Sequence, residues 1–155
     1  TGMLVEMLVD NVSKGGNLLL NVGPTGRGAF DDRAMERLEA IGRWMRCHAR
    51  SIYGCGPPPE GVVAPRDCRY TYNAKTNRLY LHLFTWPFKA VHLEGMADRV
   101  IYAQLLNDAS EIQMRDQHAE VHAALNAVSP EGALTLELPV QPPDVEVPVV
   151  ELFLK

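Results

Sequence analysis

One short apolar run, residues 17–23, most constrains how this chain can fold. It reads Asn-Leu-Leu-Leu-Asn-Val-Gly, so its apolar residues follow one another without alternation. A continuous run of this length is typical of a strand that is covered on both faces, as in a parallel sheet. One such strand alone has two unpaired edges, so it needs neighbours from preceding chain or from another copy. We therefore do not expect this part of the chain to be autonomous.

Helical patterns lie on both sides of this run. Apolar residues recur at helical spacing over residues 4–12 and again over residues 35–52. Asp31 or Asp32 is placed to cap the second helix. The first part of the chain therefore predicts a helix, a strand and a helix, which is one and a half repeats of an α/β barrel or open sheet.

The Pro- and Gly-rich run Gly54–Gly61 indicates a domain boundary. Beyond it the apolar stretches are short and bounded by turn residues, which is typical of an antiparallel β-sandwich. The segment 69–84 predicts a hairpin whose second strand is substantially apolar on both faces. The further strand candidates are residues 90–93, 100–106, 111–115, 133–138 and 147–154, and the stretch 117–128 is compatible with a strand or a short helix.

Charge and composition argue against two classes of function. The net charge of −4 and the pI of about 5.7 leave no cationic field to attract nucleic acid. No window approaches the ~18 uninterrupted apolar residues of a membrane helix. The three cysteines, Cys47, Cys55 and Cys68, are an odd number without CxxC spacing, so reduced thiols are favoured and a Cys55–Cys68 bridge is the alternative.

Two runs of the chain carry a specific likeness to one family. The run 8–24, Leu-Val-Asp-Asn-Val-Ser-Lys-Gly-Gly-Asn-Leu-Leu-Leu-Asn-Val-Gly-Pro, resembles the "vSkgGnlLLNvGP" signature of the α-L-fucosidases of glycoside hydrolase family 29. The run 77–87, Asn-Arg-Leu-Tyr-Leu-His-Leu-Phe-Thr-Trp-Pro, is similar to that family's "LYLHvFdWP" strand. The likeness covers nearly the whole chain and is sharpest over residues 8–54 and 77–87.

The resemblance implies an α/β part followed by an all-β part: the last helix–strand–helix of a (β/α)8-like barrel, then an antiparallel β-sandwich. Residues 1–56 are then the end of the barrel, with its final strand at 17–23 and its final helix at 32–53. Residues 57–61 are a linker, and residues 62–155 are the sandwich domain.

The resemblance also implies a chemistry. The family hydrolyses terminal α-L-fucosyl linkages with retention, using an Asp nucleophile and an acid/base carboxylate, without a metal or an organic cofactor. Those carboxylates, and the side chains that hold fucose, come from earlier barrel strands. No position of this sequence matches their motifs, so we assign no catalytic residue and expect fucosylated glycans to be bound only by the complete enzyme.

The acidic residues of the first part agree with that reading. A retaining glycosidase needs two carboxyl groups about 5 Å apart, and barrel enzymes place them at the ends of strands. Asp10 lies near the end of the first helix, Asp31 or Asp32 is needed as a cap, and Glu36 and Glu39 project from the second helix. Catalysis by this chain alone is therefore not expected.

Asn21, Gly23 and Pro24 are the residues of this chain that we place nearest to a substrate site. They lie at the C-terminal end of the predicted strand, which is the active face of a barrel. The Asn21 amide is placed to orient a pocket residue or a sugar hydroxyl. In the alternative, Asn21 bonds the loop backbone and Gly23-Pro24 only shapes the turn.

Weaker signals favour structural roles. His118 and His122 have the i,i+4 spacing of a zinc pair, but the sequence offers no third ligand and we predict no metal site. The aromatic residues of the sandwich are candidates for a sugar-stacking platform, although core packing is the commoner fate of such side chains. These aromatic residues are Tyr70, Tyr72, Tyr80 and Trp86.

Three hypotheses follow. The first is that this chain is a part of an α-L-fucosidase whose catalytic carboxylates lie outside it. The second is a non-catalytic carbohydrate-binding or assembly module, and the third is a small fucosidase whose site is rebuilt in an oligomer. In each case the strand at 17–23 needs pairing, so we expect a homo-oligomer or a companion chain that completes the barrel.

Overall fold

In the computed structural model, which describes residues 1–116 and 132–155, two helices open the chain as predicted. Helix α1 spans Gly2–Ser13 and helix α2 spans Asp32–His48, with a 3-10 turn at Ala49–Ser51. The cap of α2 is Asp31, whose side chain accepts a hydrogen bond of 2.7 Å from the Ala34 amide. Helix α2 ends at His48, earlier than the predicted residue 53.

The predicted strand over residues 17–23 is not formed in the described part of the chain. These residues have no regular secondary structure and pair with no strand, and Leu19 is 95% exposed. The physical reason is the one that the sequence indicates: no other parallel strand is present among the described residues, so the backbone of this run has no edge to pair with. The barrel arrangement predicted for residues 1–56 is correspondingly not observed beyond its two helices.

The predicted sandwich is present. Its strands are β1 Cys68–Asn73, β2 Arg78–Leu83, β3 Ala90–Leu93, β4 Val100–Leu105, β5 Gln113–Asp116, β6 Leu134–Glu137 and β7 Val149–Leu154. They form a four-stranded sheet in the order β1-β2-β7-β4 and a three-stranded sheet in the order β3-β6-β5, with antiparallel pairing throughout. Each predicted strand of the second part is found within a few residues of its predicted bounds. The predicted His118–His122 pair and the whole of the ambiguous stretch 117–128 lie outside the described residues.

The hairpin between β1 and β2 depends on two asparagines. The Asn73 side chain accepts hydrogen bonds from the amides of Lys75 and Thr76, at 3.1 and 3.3 Å. Asn77 takes the left-handed conformation with a φ of 52°, which asparagine tolerates better than most residues. The turn sets Asn73 opposite Arg78 and thereby fixes the register of the two strands.

Both faces of the four-stranded sheet are buried. Alternate side chains of β2, including Leu79 and Leu81, pack against the three-stranded sheet in the main core. The intervening Tyr80 faces the helices and packs with Val9 of α1 and Trp44 of α2 in a second core. The molecule therefore has three layers, in which the helices cover the outer face of the larger sheet.

Candidate functional site

The predicted site residues Asn21, Gly23 and Pro24 all lie on the surface of the described structure. A Cβ atom added to Gly23 would meet no heavy atom of the described residues within 4 Å beyond its chain neighbours. The structure therefore brings these three residues to no other candidate group of this chain, and their place beside a substrate stays a prediction.

The carboxylate of Asp10 has a structural role. It accepts hydrogen bonds from Lys14 of the same helix and, at 2.8 Å, from Nε of Arg69 on β1. The bond from Lys14, then the bond from Arg69, holds the pKa of Asp10 below its usual range. Asp10 therefore stays ionised and joins α1 to the sheet, while Glu36 and Glu39 are exposed on α2.

Glu151 on β7 is a buried carboxylate that the sequence analysis did not single out. Its side chain is 4% exposed and accepts hydrogen bonds from Gln104 at 2.7 Å, and from Arg50 and Tyr80 at 3.3 Å. Burial, followed by the negative charge of Glu151, raises the pKa of the Tyr80 hydroxyl. All three partners hold the Glu151 side chain in place under the end of α2, so it does not face an open cleft.

Below the end of α2 lies a polar junction that we name by its residues Trp44, His48, Ser51, Thr71 and His82. Nε1 of Trp44 donates to the Val147 carbonyl at 3.1 Å, and the Trp44 ring stacks on the His48 ring with centroids 4.7 Å apart. His48 Nδ1 lies 2.9 Å from the Trp44 carbonyl, and the Ser51 hydroxyl donates to the His48 carbonyl at 2.8 Å.

Thr71 joins the two sides of this polar junction. Its hydroxyl donates to the Ser51 carbonyl at 2.6 Å and lies 2.9 Å from Nε2 of His82 on β2. His48, Ser51, Thr71 and His82 are all buried, so their hydrogen bonds are made without competing solvent. A sequence signal for this junction exists in retrospect: Tyr80 and His82 alternate with the leucines of β2 and so share the face that the helices cover.

The cavities of the described residues do not resemble a glycosidase cleft. One of about 320 Å³ opens beside the end of α2, and its walls hold no Asp or Glu. These walls are formed by Ala49, Arg50, Tyr53, Asn73, Thr76 and Tyr80. A second cavity, of about 360 Å³, contains the single acidic side chain of Asp98.

The aromatic residues that were weaker candidates for sugar binding have structural roles. Tyr70 and Tyr80 are buried on opposite sides of the larger sheet, and the half-buried Trp86 donates its Nε1 hydrogen to the Pro139 carbonyl, so these residues form no stacking platform. Within residues 1–116 and 132–155, no cluster of three His, Cys, Asp or Glu side chains is arranged to hold a metal. Cys47, Cys55 and Cys68 are free thiols, as favoured from the sequence, and burial raises the pKa of both Cys55 and Cys68 to about 11.

None of the helices in the described part of the chain is long and apolar enough to cross a membrane. Its fold, two packed antiparallel sheets with helices against the larger one, is that of a two-sheet β-sandwich protein.

The family model described as alpha-L-fucosidase matches residues 1–50. The tissue α-L-fucosidase of Rattus norvegicus is 31% identical over 141 residues, which are 90% of this chain and 28% of the rat protein. Isoenzyme 1 of the α-L-fucosidase from Paenibacillus thiaminolyticus is 35% identical, with a TM-score of 0.84 over 99% of this chain and 34% of that one. An α-L-fucosidase of glycoside hydrolase family 29 from Bacteroides thetaiotaomicron, at 22% identity, shares the fold with a TM-score of 0.81.

The chain belongs to the α-L-fucosidase family. It spans about a third of the length of the relatives that it matches, and its β-sandwich matches the C-terminal sandwich of the fucosidases.

The polar junction yields a stability prediction at Thr71. Thr71→Val keeps the shape of the side chain but leaves the Ser51 carbonyl and one ring nitrogen of His82 buried without their partner. Each such loss costs about 1–3 kcal/mol, so we expect a decrease of about 2–4 kcal/mol in the free energy of unfolding measured with urea. The matched control is Thr85→Val at an exposed position, where the change is expected within about 0.5 kcal/mol. Equal losses in the two variants would contradict the role given to Thr71.

Proposed function

We propose that this chain is the C-terminal part of an α-L-fucosidase, a retaining glycoside hydrolase that releases terminal α-L-fucose, and that the catalytic carboxylates lie outside these 155 residues. Family membership supports the reaction. The observation that carries the second half of the proposal is the fate of the carboxylates: Asp10 and Glu151 are tied to cations, and Asp31 caps a helix. None of these is free to act as a nucleophile or a proton donor.

The domain assignment is part of the proposal. Residues 1–56 contribute the final strand, at 17–23, and the final helix of the barrel, residues 57–61 link the domains, and residues 62–155 form the sandwich. In support, large apolar side chains are exposed mainly in the first of these segments, where a barrel would cover them. They are Met3, Met7, Leu19, Leu20, Phe30, Met35 and Tyr53, at 38–95% exposure.

The partners follow from the same apolar surface. Leu19 and Leu20 lie on a run with two unpaired edges, and an unpaired apolar run of this kind favours association. We propose that a companion segment carrying the rest of the barrel, or a second copy of this chain, pairs with residues 17–23. Fucosylated glycans are then bound by the assembled enzyme.

A chromogenic α-L-fucoside tests whether this chain is catalytic. We expect no turnover above the buffer rate by the purified 155-residue chain, because neither of the two cavities described above is lined by a pair of carboxyl side chains, which a retaining glycosidase requires. Turnover that disappears in Asp10→Asn, Asp31→Asn or Glu151→Gln, but survives in the exposed control Glu39→Gln, would contradict the proposal and favour the rebuilt oligomeric site. Binding of fucose without turnover would instead favour the non-catalytic carbohydrate-binding module.

The role proposed for Asn21 is tested in a longer protein that contains this chain and has fucosidase activity. If the Asn21 amide orients a pocket residue or a sugar hydroxyl beside Gly23 and Pro24, Asn21→Ala lowers kcat/KM about tenfold, the equivalent of one hydrogen bond of about 1.4 kcal/mol. We expect the melting temperature of Asn21→Ala to match that of the control Asn17→Ala, which alters the opposite end of the run. An unchanged kcat/KM together with a lowered melting temperature would show that Asn21 only bonds the loop backbone.

A further inference from the structure

Two fully buried histidines, one on each side of the polar junction, have the same incomplete pattern of hydrogen bonds. The Trp44 carbonyl is an acceptor, so His48 donates to it through Nδ1 and carries no hydrogen on Nε2. The Thr71 hydroxyl donates to the Ser51 carbonyl, so it accepts from Nε2 of His82, which leaves Nδ1 of His82 without a hydrogen. Neither of these bare ring nitrogens has a hydrogen-bond partner among the described residues.

A second proton on either ring would therefore place a positive charge inside the protein without an acceptor. Burial, followed by the smaller effect of the nearby His48, lowers the pKa of His82 to about 3. Burial also lowers the pKa of His48, against the smaller opposite effect of its bond to the Trp44 carbonyl. Both imidazoles are neutral in the folded protein.

The charged and titratable groups around this face of the sheet do not offer compensation. On β7, Glu151 is already paired with Arg50 of the 3-10 turn, and Tyr80 of β2 donates to it. Between α1 and β1, Asp10 is paired with Arg69. The pKa of the Cys55 thiol is raised to about 11, so it is uncharged at neutral and acidic pH.

The location of the two rings determines what protonation would do. His48 is the last residue of α2, and His82 lies on the strand that this helix end covers. Among the described residues, two hydrogen bonds of the polar junction attach the end of α2 to the sheet. One joins Trp44 to Val147, just before β7, and the other joins Ser51 to Thr71 of β1. Separation of the segment 44–51 from the sheet would expose both buried rings to solvent.

We propose that His48 and His82 form an acid-sensitive latch that holds the segment 44–51 on the four-stranded sheet while both rings are neutral and releases it when they take up protons. The release would alter the junction between the two helices and the sandwich without unfolding the sandwich itself.

The sign of the pH dependence follows from linkage. The folded pKa values lie below the unfolded value of about 6.5, so the open form binds more protons than the closed form as pH falls. The latch is fully stable above about pH 6.5 and weakens from there towards the folded pKa of His82, about 3. For each unit by which the pH falls, one histidine raises the opening constant by up to about tenfold, and the two together raise it by up to about a hundredfold.

Hydrogen exchange on the complete 155-residue chain measures this opening. Rates are followed from about pH 7.5 to about pH 5 and corrected for intrinsic exchange. We expect the opening constant of amides in 44–51 to rise about tenfold or more between pH 6.5 and 5.5, while those of Val149–Leu154 in β7 change little. The absence of any rise in 44–51 would overturn the latch.

A double variant with His48→Asn and His82→Gln separates titration from packing. The amide nitrogens of Asn and Gln keep the donors to the Trp44 carbonyl and to Thr71, but neither side chain takes up a proton in this range. We expect its opening constant to be independent of pH, whereas the control His92→Asn, at an exposed histidine of β3, keeps the rise. An equal rise in the double variant would overturn the latch.

Fluorescence provides a second measurement if the double variant does not fold. The chain has two tryptophans, so Trp86→Phe leaves Trp44, whose ring lies 4.7 Å from that of His48 and 6.4 Å from that of His82, as the one emitter. We expect Trp44 emission to be quenched or shifted to the red below about pH 6.5, before the far-UV circular dichroism of the sandwich changes. Emission that follows the circular dichroism would show global unfolding instead and would overturn the latch.

Discussion

The arrangement of the elements follows from the burial of the four-stranded sheet, most of whose side chains are covered on both faces. Leu79 and Leu81 of β2 point into the core between the two sheets, while Tyr80 and His82 point at the helices. Full burial of a large apolar side chain is worth about 1.5–3 kcal/mol, so the inner face alone supplies much of the stability of the sandwich. The outer face needs α1 and α2 as its cover, which makes the two helices part of the folded unit in this chain.

Polar groups on that outer face set where the helices sit. A buried donor or acceptor without a partner costs about 1–3 kcal/mol, so the end of α2 is favoured where the Ser51 carbonyl accepts from Thr71 and Arg50 pairs with Glu151. Apolar contacts alone would tolerate sliding of the helix, whereas the bonds to Ser51 and Arg50 fix one position. The same packing pairs the carboxylates of Asp10 and Glu151 with cations, which supports the proposal that neither is catalytic.

Local patterns in the sequence predicted the helices and the strands of the sandwich. Contacts between residues far apart in the sequence could not be predicted from such patterns. The hairpin of β1 and β2 was predictable because an Asn-rich turn lies between two apolar runs. The N-cap of α2 was predictable because Asp31 precedes the helical pattern. The polar junction was not, because Trp44 is 103 residues from its acceptor Val147 and Thr71 is 20 residues from Ser51, so only the fold brings them together. The strand predicted at 17–23 is not observed for another reason: its continuous apolar run is typical of a buried strand, but strand formation requires partners that the described residues do not contain.

The chain thus combines a two-sheet sandwich with an unpaired apolar run, which agrees with the proposal that it is part of a larger fucosidase. Hydrogen exchange at residues 17–23 tests this proposal, because a strand without partners leaves its amides open to solvent. In the 155-residue chain at a concentration where it is monomeric, we expect exchange close to that of an unstructured peptide. In a longer protein that supplies the neighbouring strands, we expect protection of the same amides by at least about a hundredfold. Strong protection in the monomeric chain, or none in the longer protein, would overturn the proposal.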